Sequence, residues 1–234
     1  MRKVGFLIAF ISVLTFFACS FANAQETKAK LGSFVELSGP VKYDKGGSSG
    51  YSDLSRDEAL NISIAEGDKI MTGDATTGEA LLSFGARISI EAGSEMEFRN
   101  FNVRINRGGT WINFKPVKDQ AGSKKFMVNT PVGTIGIKGT TFGVFVDPEA
   151  KLAAVQVTEG AVSFENDNKE TVEISAGNAL KFTSGEKEMK PFAVDPQENV
   201  VVKLTAEKKG AAPSGVKPKD VNHPFKKFRG SDPK

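Results

Sequence analysis

The 234-residue chain has 39% hydrophobic and 25% charged residues, values typical of a globular protein with a buried core. Its 24 glycines, 18 phenylalanines and single tryptophan favour many short strands joined by tight turns over a helical fold. The net charge is only +3, and the body of the chain has no basic stripe of the kind that binds nucleic acid.

The N-terminus is predicted to be a signal peptide. Basic Arg2 and Lys3 precede the apolar run Val4–Ala18, and the motif ANA ending at Ala24 has the small-x-small pattern of a signal-peptidase site. The apolar run is short for a membrane span. We therefore expect removal of residues 1–24 and a periplasmic or secreted mature chain without a membrane span.

Cys19 offers an alternative processing route, as the lipid-modified cysteine of a bacterial lipoprotein. Phe16 stands three residues before it, where such signals usually have leucine. Cys19 is the only cysteine, so cleavage after Ala24 leaves a mature chain without disulfides.

Beyond residue 31, short apolar–polar alternating runs predict an all-β domain, a compact β-roll or sandwich of short strands. The residues Ser38–Pro40 break the first run. In chain order the runs are SFVEL, PVKY, GEALLSF, ARISIEA, SEMEF, NVRIN, TWINF, KFMVNT, TFGVFV, AAVQVT, AVSFE, TVEIS and ALKFT.

An aliphatic residue, two further residues and a glycine recur between these runs. A short turn that needs positive φ at its last residue places glycine there, so the motif predicts hairpins with a second strand after the glycine. The irregular spacing excludes a solenoid. The motifs end at Gly67, Gly93, Gly108, Gly160 and Gly177.

Two segments depart from the strand pattern. The polar, Gly/Ser-rich residues from about 45 to 58 predict a loop. A stretch from Asp195 predicts a short helix with Val200, Val201 and Leu204 on one side, although three consecutive valines suit a strand equally well.

The C-terminal segment is predicted to be a disordered basic tail. Residues 203–234 contain nine basic and three acidic residues, a net +6, and become rich in Pro, Gly and Lys. The β domain is therefore expected over residues 31–202. In the tail, two phenylalanines interleave with basic residues in a candidate contact for anionic lipid or an acidic partner: Phe225, Lys226, Lys227, Phe228 and Arg229. A solvated end without a partner is the alternative.

The stretch TPVGTIGIKGTTFGVFV, residues 130–146, resembles a phosphate loop but lacks its order. A P-loop has its lysine after the last glycine and continues into a helix, whereas here Lys138 precedes Gly139 and a strand follows. We interpret the stretch as structural, with glycines that bend the backbone and admit a neighbouring chain. The structural motif residues are Thr130, Pro131, Gly133, Gly136, Gly139, Thr140, Gly160 and Gly177.

This block also resembles the FecR domain, a family named after the periplasmic part of a sigma-factor regulator. The resemblance covers about residues 31–182. It rests on AEGDKIMTGDATTGEALLSF, NVRINRGGTWINF, NTPVGTIGIKGTTFGVFV, AAVQVTEGAVSFE and TVEISAGNALKF.

Three departures limit what the resemblance implies. Lys138 stands where the family usually has arginine, and Phe84 to Arg87 replaces its usual Asp-Gly. The family's regulators also carry a cytoplasmic region and a membrane span, where this chain has a predicted signal peptide. The resemblance therefore implies a free-standing exported FecR-like protein without direct sigma-factor regulation.

No catalytic centre is predicted. The only histidine, His223, lies in the predicted tail, which excludes a Ser-His-Asp arrangement or a His/Cys zinc site in the domain. Glu95 and Glu97 share a strand face and are a carboxylate pair for glycoside hydrolysis, or a solvated face with Met96 and Phe98 inward. We expect no enzyme, cofactor or metal.

Residues 165–170 (ENDNKE) resemble part of a calcium loop but lack its glycine and distant glutamate, so a polar hairpin tip is predicted. Trp111 and Tyr51 are the aromatic candidates for a partner contact. For Trp111, packing inside the protein is the alternative, since it alternates with Asn113 in a strand.

The predicted function is a non-catalytic binding or signalling module of the cell envelope. An unknown envelope protein is the expected partner, bound by the β domain, and an exposed sheet edge is one physical route. The alternative is a protein that binds the cell wall or another polysaccharide.

Overall fold

The computed structural model describes residues 28–46, 50–117 and 125–208. The predicted signal peptide and the tail beyond Lys208 lie outside the described residues. Within them, 17 short strands and two short helices form the domain, which confirms the all-β class. No helix in the described ranges is long and apolar enough to cross a membrane.

The strands form two sheets that share one long strand, β9 (Asn102–Phe114). From edge to edge, sheet A consists of β4 (Ser63–Ala65), β1 (Lys30–Leu37), β6 (Gly78–Leu82), β7 (Ala86–Ile90), β9, β12 (Thr141–Asp147), β13 (Leu152–Glu159), β16 (Asn178–Thr183) and β17 (Phe192–Ala193). Sheet B consists of β3 (Ser52–Leu54), β2 (Val41–Asp44), β5 (Lys69–Thr72), β8 (Glu95–Arg99), β9, β10 (Phe126–Thr130), β11 (Gly133–Ile137), β14 (Ala161–Asn166) and β15 (Thr171–Ser175).

Nearly all pairings are antiparallel, and the parallel pair is β9 with β10. The sequence predicted two strands, NVRIN and TWINF, where the structure has the single strand β9. Its first half pairs in sheet B and its second half, from Gly108, pairs in sheet A. Ser94 supports the bend, because its hydroxyl donates to the Gly109 carbonyl at 2.9 Å and accepts from the Gly109 N–H at 3.1 Å.

The main core lies between the two sheets. Phe34 of sheet A meets Phe98 of sheet B edge to face, with ring centroids 6.0 Å apart. Phe164 of sheet B contacts Phe182 of sheet A at 5.5 Å. Each large buried side chain of this kind stabilises the fold by about 1.5–3 kcal/mol relative to exposure, so these contacts hold the sheets together.

The repeated glycines do adopt the predicted positive φ, but they do not form hairpins. Their φ values are 85° at Gly67, 73° at Gly93, 84° at Gly108, 76° at Gly160 and 80° at Gly177. Four of them lie between strands that belong to different sheets, and Gly108 lies where β9 changes sheet. The hairpin prediction is wrong because these glycines turn the chain from one layer to the other. A hairpin, in contrast, keeps both strands in one sheet.

A buried carboxylate fixes the corner after Gly67. Asp68 accepts hydrogen bonds from the Tyr43 hydroxyl, from the Ala65 N–H at 2.8 Å and from the Gly46 N–H at 3.0 Å. Burial, together with the Asp68 carboxylate, raises the pKa of Tyr43 far above its ordinary value. The Gly-Asp pair of the sequence therefore acts as a structural tie between the corner and β2.

The helix α1 (Arg56–Leu60) lies where the sequence predicted a loop. A reciprocal cap starts it: the Ser55 hydroxyl accepts from the Glu58 N–H, and the Glu58 carboxylate accepts from the Ser55 N–H at 2.8 Å. The Ser55 hydroxyl also donates to the Glu58 carboxylate at 2.6 Å, and this bond, together with the one from the Ser55 N–H, lowers the pKa of Glu58. The S-x-x-E signature was present in the sequence, but the helix of five residues has no apolar period to detect.

The second helix, α2 (Val200–Lys208), confirms the helical interpretation of the segment after Asp195. It packs on the outer face of sheet A, and Val201 is fully buried there. The helix continues to Lys208, beyond the predicted domain boundary at residue 202.

Candidate functional site

The two sheets end in four edge strands, which are the places where a partner strand can be added. β3 and β4 have three residues each and β17 has two. Very short edges of this kind limit unwanted pairing. β15 is longer, with five residues, and pairs in regular register with β14. It is the longest of the four edge strands in the described part of the chain.

Hydrogen bonds at the two ends of β15 fix the direction of its backbone groups. The Ala176 N–H donates to the Gly160 carbonyl at 2.9 Å, and the Asn166 N–H donates to the Glu170 carbonyl at 3.0 Å. In an antiparallel ladder, residues that bond to the neighbouring strand alternate with residues whose backbone groups point away. The even-numbered residues of β15 therefore bond to β14, and the odd-numbered residues face the open side.

Thr171 and Glu173 thus present their N–H and C=O groups to the open side of sheet B. Their side chains are exposed, while Ile174 is buried and Val172 is half-buried. The Ser175 carbonyl accepts a hydrogen bond from the Asn178 side chain at 3.3 Å. The site available to an added strand therefore centres on Glu173.

A crevice of about 340 Å³ adjoins this edge on the outer face of sheet B. Its base is formed by three direct cross-strand neighbours on β11, β14 and β15, namely Gly136, Ser163 and Glu173. The small residues Gly136 and Ser163 leave space for the crevice. Lys125 and Lys138 also line the crevice. A partner strand on β15 would therefore meet side chains of both charges beside a shallow depression.

The glycine-rich stretch forms β11, a corner and β12, and its residues 136–140 line one wall of the crevice. Gly139 lies at the corner where the chain passes from sheet B to sheet A, with φ of 91°. A strand follows it, so the stretch has no helix N-terminus to hold an anion. The structural interpretation of the stretch fits this arrangement.

The other motif residues lie at turns and close contacts. The Thr130 hydroxyl donates to the Gly133 carbonyl at 2.9 Å across the turn that contains Pro131. A Cβ at Gly133 would lie 2.6 Å from the Glu165 carbonyl and one at Gly136 would lie 2.7 Å from the Ser163 hydroxyl. Both glycines thus allow β14 to approach β11.

The second group of motif residues surrounds the next corner. A Cβ at Gly160 would lie 2.6 Å from Thr140 Cγ2, whereas one at Gly177 would meet nothing within 4 Å. Thr140 is buried, and its hydroxyl has no hydrogen-bond partner among the described residues. The two corner glycines therefore share a backbone conformation but differ in crowding.

Trp111 does not offer the partner contact considered from the sequence. Its side chain is only 4% exposed, because α2 covers the outer face of sheet A at this point. The indole packs with Phe145 and Val201 instead. The alternative of internal packing holds, although the tryptophan faces outward from the sheet rather than into the main core.

Tyr51 is exposed beside the outer face of sheet B. Its hydroxyl donates to the Glu95 carboxylate at 3.1 Å, and the Asn106 side chain donates to the same oxygen at 3.2 Å. Partial burial and the negative charge of Glu95 raise the pKa of Tyr51 far above its ordinary value. The ring, carboxylate and amide form a small polar surface of the kind that contacts sugars.

Glu97 is held in an ion pair, since Arg99 donates to its two oxygens at 2.7 and 3.1 Å. Met96 and Phe98 are fully buried, so the glutamates lie on the solvated face of β8, as the structural alternative predicted. This arrangement leaves Glu97 engaged by a cation rather than poised as a free carboxylate.

The segment 165–170 forms the predicted polar hairpin tip between β14 and β15. The Asn166 carboxamide oxygen accepts from the backbone N–H groups of Asn168 and Glu170, each at 3.0 Å. Across the described residues, no group of three or more His, Cys, Asp or Glu side chains is arranged to hold a metal. The tail candidates, His223 and Phe225 to Arg229, lie outside the described residues.

Comparisons with known proteins show what part of this two-sheet domain is similar to. A family model described as FecR protein matches residues 68–163, from just before β5 to the middle of β14. The match confirms the resemblance to the FecR domain that the sequence showed. No curated protein matches the chain.

Two solved structures are similar to part of the chain, both described as a "putative anti-sigma factor" from Parabacteroides distasonis ATCC 8503. Each is 20% identical with a TM-score of 0.47 over 61% of this chain. The chain covers 64% of the one at 2.50 Å resolution and 65% of the one at 1.65 Å.

Proposed function

We propose that the protein is a non-catalytic binding or signalling module of the cell envelope that engages a protein partner through β15. The observation that carries the proposal is the open edge at β15, with outward backbone groups at Thr171 and Glu173. A partner segment in extended conformation would add a strand to sheet B there. The FecR match of residues 68–163 supports a regulatory rather than an enzymatic role.

Strand addition depends on backbone groups of β15 and not on its side chains. Two substitutions at Glu173 can separate these contributions and so test the proposal. Glu173→Pro removes an N–H that faces the open side and leaves the bonds of Val172 and Ile174 to β14 in place. Glu173→Ala keeps that N–H and changes only the side chain. We expect Glu173→Pro to lose the partner and Glu173→Ala to retain it.

The measurement is in-cell photo-crosslinking from a probe at Thr171, read by mass spectrometry, in the wild type and both variants. The thermal unfolding midpoint must be the same in all three proteins for the comparison to count. Equal recovery of a partner with Glu173→Pro and with the wild type would rule out strand addition at β15.

The envelope location is a separate part of the proposal and rests on the N-terminal sequence. We expect the mature chain to begin at Gln25 and to fractionate outside the cytoplasm. N-terminal sequencing of the purified native protein tests this directly. A mature chain that begins at Cys19 with a lipid adduct would establish the lipoprotein alternative.

A cell-wall or polysaccharide ligand is the second candidate, and the surface around Tyr51 favours it. An exposed aromatic ring beside Glu95 and Asn106 combines a stacking face with hydrogen-bonding groups. If this surface binds glycan, Tyr51→Ala will reduce co-sedimentation with isolated peptidoglycan, while Glu173→Pro will not. Glu173→Pro should therefore impair binding only if the ligand is a protein strand at β15, and Tyr51→Ala only if the ligand is a glycan.

A further inference from the structure

The helix α2 occupies a groove on the outer face of sheet A. Two glycines in the sheet leave the space that the helix needs. A Cβ at Gly143 would lie 2.8 Å from Val201 Cγ2, and one at Gly109 would lie 3.1 Å from Val201 Cγ1 and 2.7 Å from the Thr205 hydroxyl. A larger residue at either position would therefore collide with side chains of α2, and at position 143 also with the Trp111 ring at 2.9 Å. Gly109 and Gly143 lie on the adjacent strands β9 and β12.

Apolar side chains form the walls of this groove. Trp111, Phe145, Leu152 and Ala154 make a small cluster with Val201, separate from the core between the sheets. They project from the outer faces of β9, β12 and β13 and lose contact with water because α2 lies on them. The groove is thus an apolar docking surface, and its occupant in this structure is the chain's own helix.

The beginning of α2 is tied to the sheet by one buried side chain. The Gln156 carboxamide donates to the Glu198 carbonyl at 2.9 Å and accepts from the Val200 N–H at 2.8 Å. Asn199 caps the same turn, since its side-chain oxygen accepts from the Val202 N–H at 3.0 Å. These bonds fix the register of the helix in the groove.

Leu204 packs against the apolar cluster, and beyond it the end of α2 is held by ion pairs of Lys208. Lys208 contacts the carboxylate of Asp147 at 2.9 Å and that of Glu149 at 2.7 Å, both near the turn after β12. Its hydrogen bonds with Glu149 and Asp147 raise the pKa of Lys208. The pair with the exposed Glu149 is weak and is screened by salt, whereas the Asp147 side chain is only 12% exposed.

Docking of α2 is also opposed by an unsatisfied donor. The Trp111 Nε1–H is buried and has no hydrogen-bond partner among the described residues, whereas it would bond to water if the helix left. Val201 is the only residue of the nine-residue helix that is buried, and Val202 faces solvent. A helix of this length is not stable alone in water, so release would also unfold it.

We infer that the groove formed by Gly109, Gly143, Trp111 and Phe145 is a helix-docking surface whose ligand is α2 of the same chain, held in a reversible equilibrium. Release of α2 exposes an apolar surface suited to a short helix with a small β-branched residue in its first turn. The segment after Lys208 is continuous with this helix, so anything that binds that segment can act on the equilibrium. The inference does not depend on the β15 edge.

The chain contains a single tryptophan, which lies in the groove and reports its state. The experiment compares Val201→Asp with Val202→Asp in the full mature chain, by Trp111 emission and acrylamide quenching. We expect Val201→Asp to shift the emission to longer wavelength and to raise quenching severalfold, while the main thermal unfolding transition persists. Val202→Asp adds the same charge to the solvent face and should behave as the wild type.

A peptide with the sequence of residues 198–208 then tests whether the groove accepts a helix. Added to the Val201→Asp protein, it should restore the wild-type emission, and the same peptide with Asp in place of Val201 should not. Failure of the native peptide to restore the signal would overturn the docking inference. Unchanged emission of the Val201→Asp protein would overturn the assigned role of Val201.

Two further results would contradict the inference. If Val201→Asp abolishes the main unfolding transition, Gly143→Ala offers a second way to displace α2 from the groove. Loss of that transition in both variants would mean that α2 is an integral part of the fold. If protection of Trp111 in the wild type disappears on dilution together with a dimer, the occupant is α2 of a second copy. Retained protection at every concentration is the expected outcome.

Discussion

The central strands of the two sheets differ in how many of their faces are buried. Six consecutive residues are buried at the start of both β12 and β13 in sheet A, whereas β8 and β11 in sheet B alternate between buried and half-buried residues. The inner faces of both sheets pack in the same core, so the difference arises on the outer faces. Sheet A carries α2 there, and sheet B is open.

The outer face of sheet A is therefore part of the packed structure, whereas the outer face of sheet B is accessible to solvent. An open, alternating sheet offers its edge and its outer face to a partner, as β15 and the crevice do in sheet B. A sheet buried on both faces exposes new apolar surface only if its cover moves, as we infer for α2. Substitutions on the inner face, at the corners and on the outer face should therefore have graded effects.

The largest effect is expected on the inner face. Phe98→Ala removes a fully buried ring that contacts Phe34, and a substitution of this kind lowers the free energy of unfolding by about 3–5 kcal/mol. Denaturant titration monitored by circular dichroism measures the change. Met127→Ala, on the exposed face of sheet B, should change it by less than about 0.5 kcal/mol. Similar losses in both variants would show that the two faces of sheet B do not differ in burial as described.

The next effect is expected at the corners that join the sheets. Gly177→Ala places a side chain at positive φ in open space and should cost about 1–2 kcal/mol. Gly160→Ala adds a collision with Thr140 to the same backbone strain, so it should cost about 1–3 kcal/mol more. Thermal unfolding of the two variants, measured side by side, checks the order. Equal losses would mean that β13 and β14 shift to accommodate the new methyl group.

Gly139, at another corner between the sheets, is less crowded than Gly160 but more crowded than Gly177. Its φ of 91° disfavours any other residue, but a Cβ there would meet only Pro116 and Phe114, at 3.8 and 3.9 Å. We therefore expect Gly139→Val to cost more than Gly177→Ala, because β-branched residues tolerate positive φ least. An unchanged melting temperature of Gly139→Val would contradict a backbone role for this glycine.

A smaller effect is expected on the outer face of sheet A. Val201→Ala removes two buried methyl groups and should weaken the docking of α2 by about 1.5 kcal/mol, at about 0.8 kcal/mol for each group. The change should appear in Trp111 quenching and in amide exchange of α2 before it appears in global unfolding. If global unfolding and Trp111 exposure shift together, α2 and the sheets form one cooperative unit.

The smallest effect is expected from pH. Partial burial raises the pKa of Asp147, but hydrogen bonds from Lys208 and from two backbone N–H groups outweigh it and hold this pKa below the ordinary 3.8. A depressed pKa stabilises the docked state fully above the ordinary value, and this contribution is lost as the pH falls through the lowered value. Trp111 quenching should therefore increase below about pH 4. Asp147→Asn should remove most of this dependence.

The candidate site was predictable only in part. The sequence showed that TVEIS forms a strand, because it alternates and is bounded by turn residues, but every predicted strand shared that signal. An edge is defined by the absence of a neighbour, and pairing between distant strands leaves no local mark. The groove under α2, in contrast, has a local signal in the sequence. The runs TFGVFV and LAAVQV are apolar on both faces, so a second element must pack on their outer face.

The sequence by itself determined the all-β class, most strands and the positive φ of the recurring glycines, and it left helix and strand open at residue 200. These properties depend on local sterics and on the alternation of side chains, which act within a few residues. Only the tertiary structure decided that those glycines join two sheets, that Trp111 lies under a helix and that β15 is an open edge. Each of these depends on contacts between residues far apart in the chain, which the hydrophobic effect drives without specifying partners.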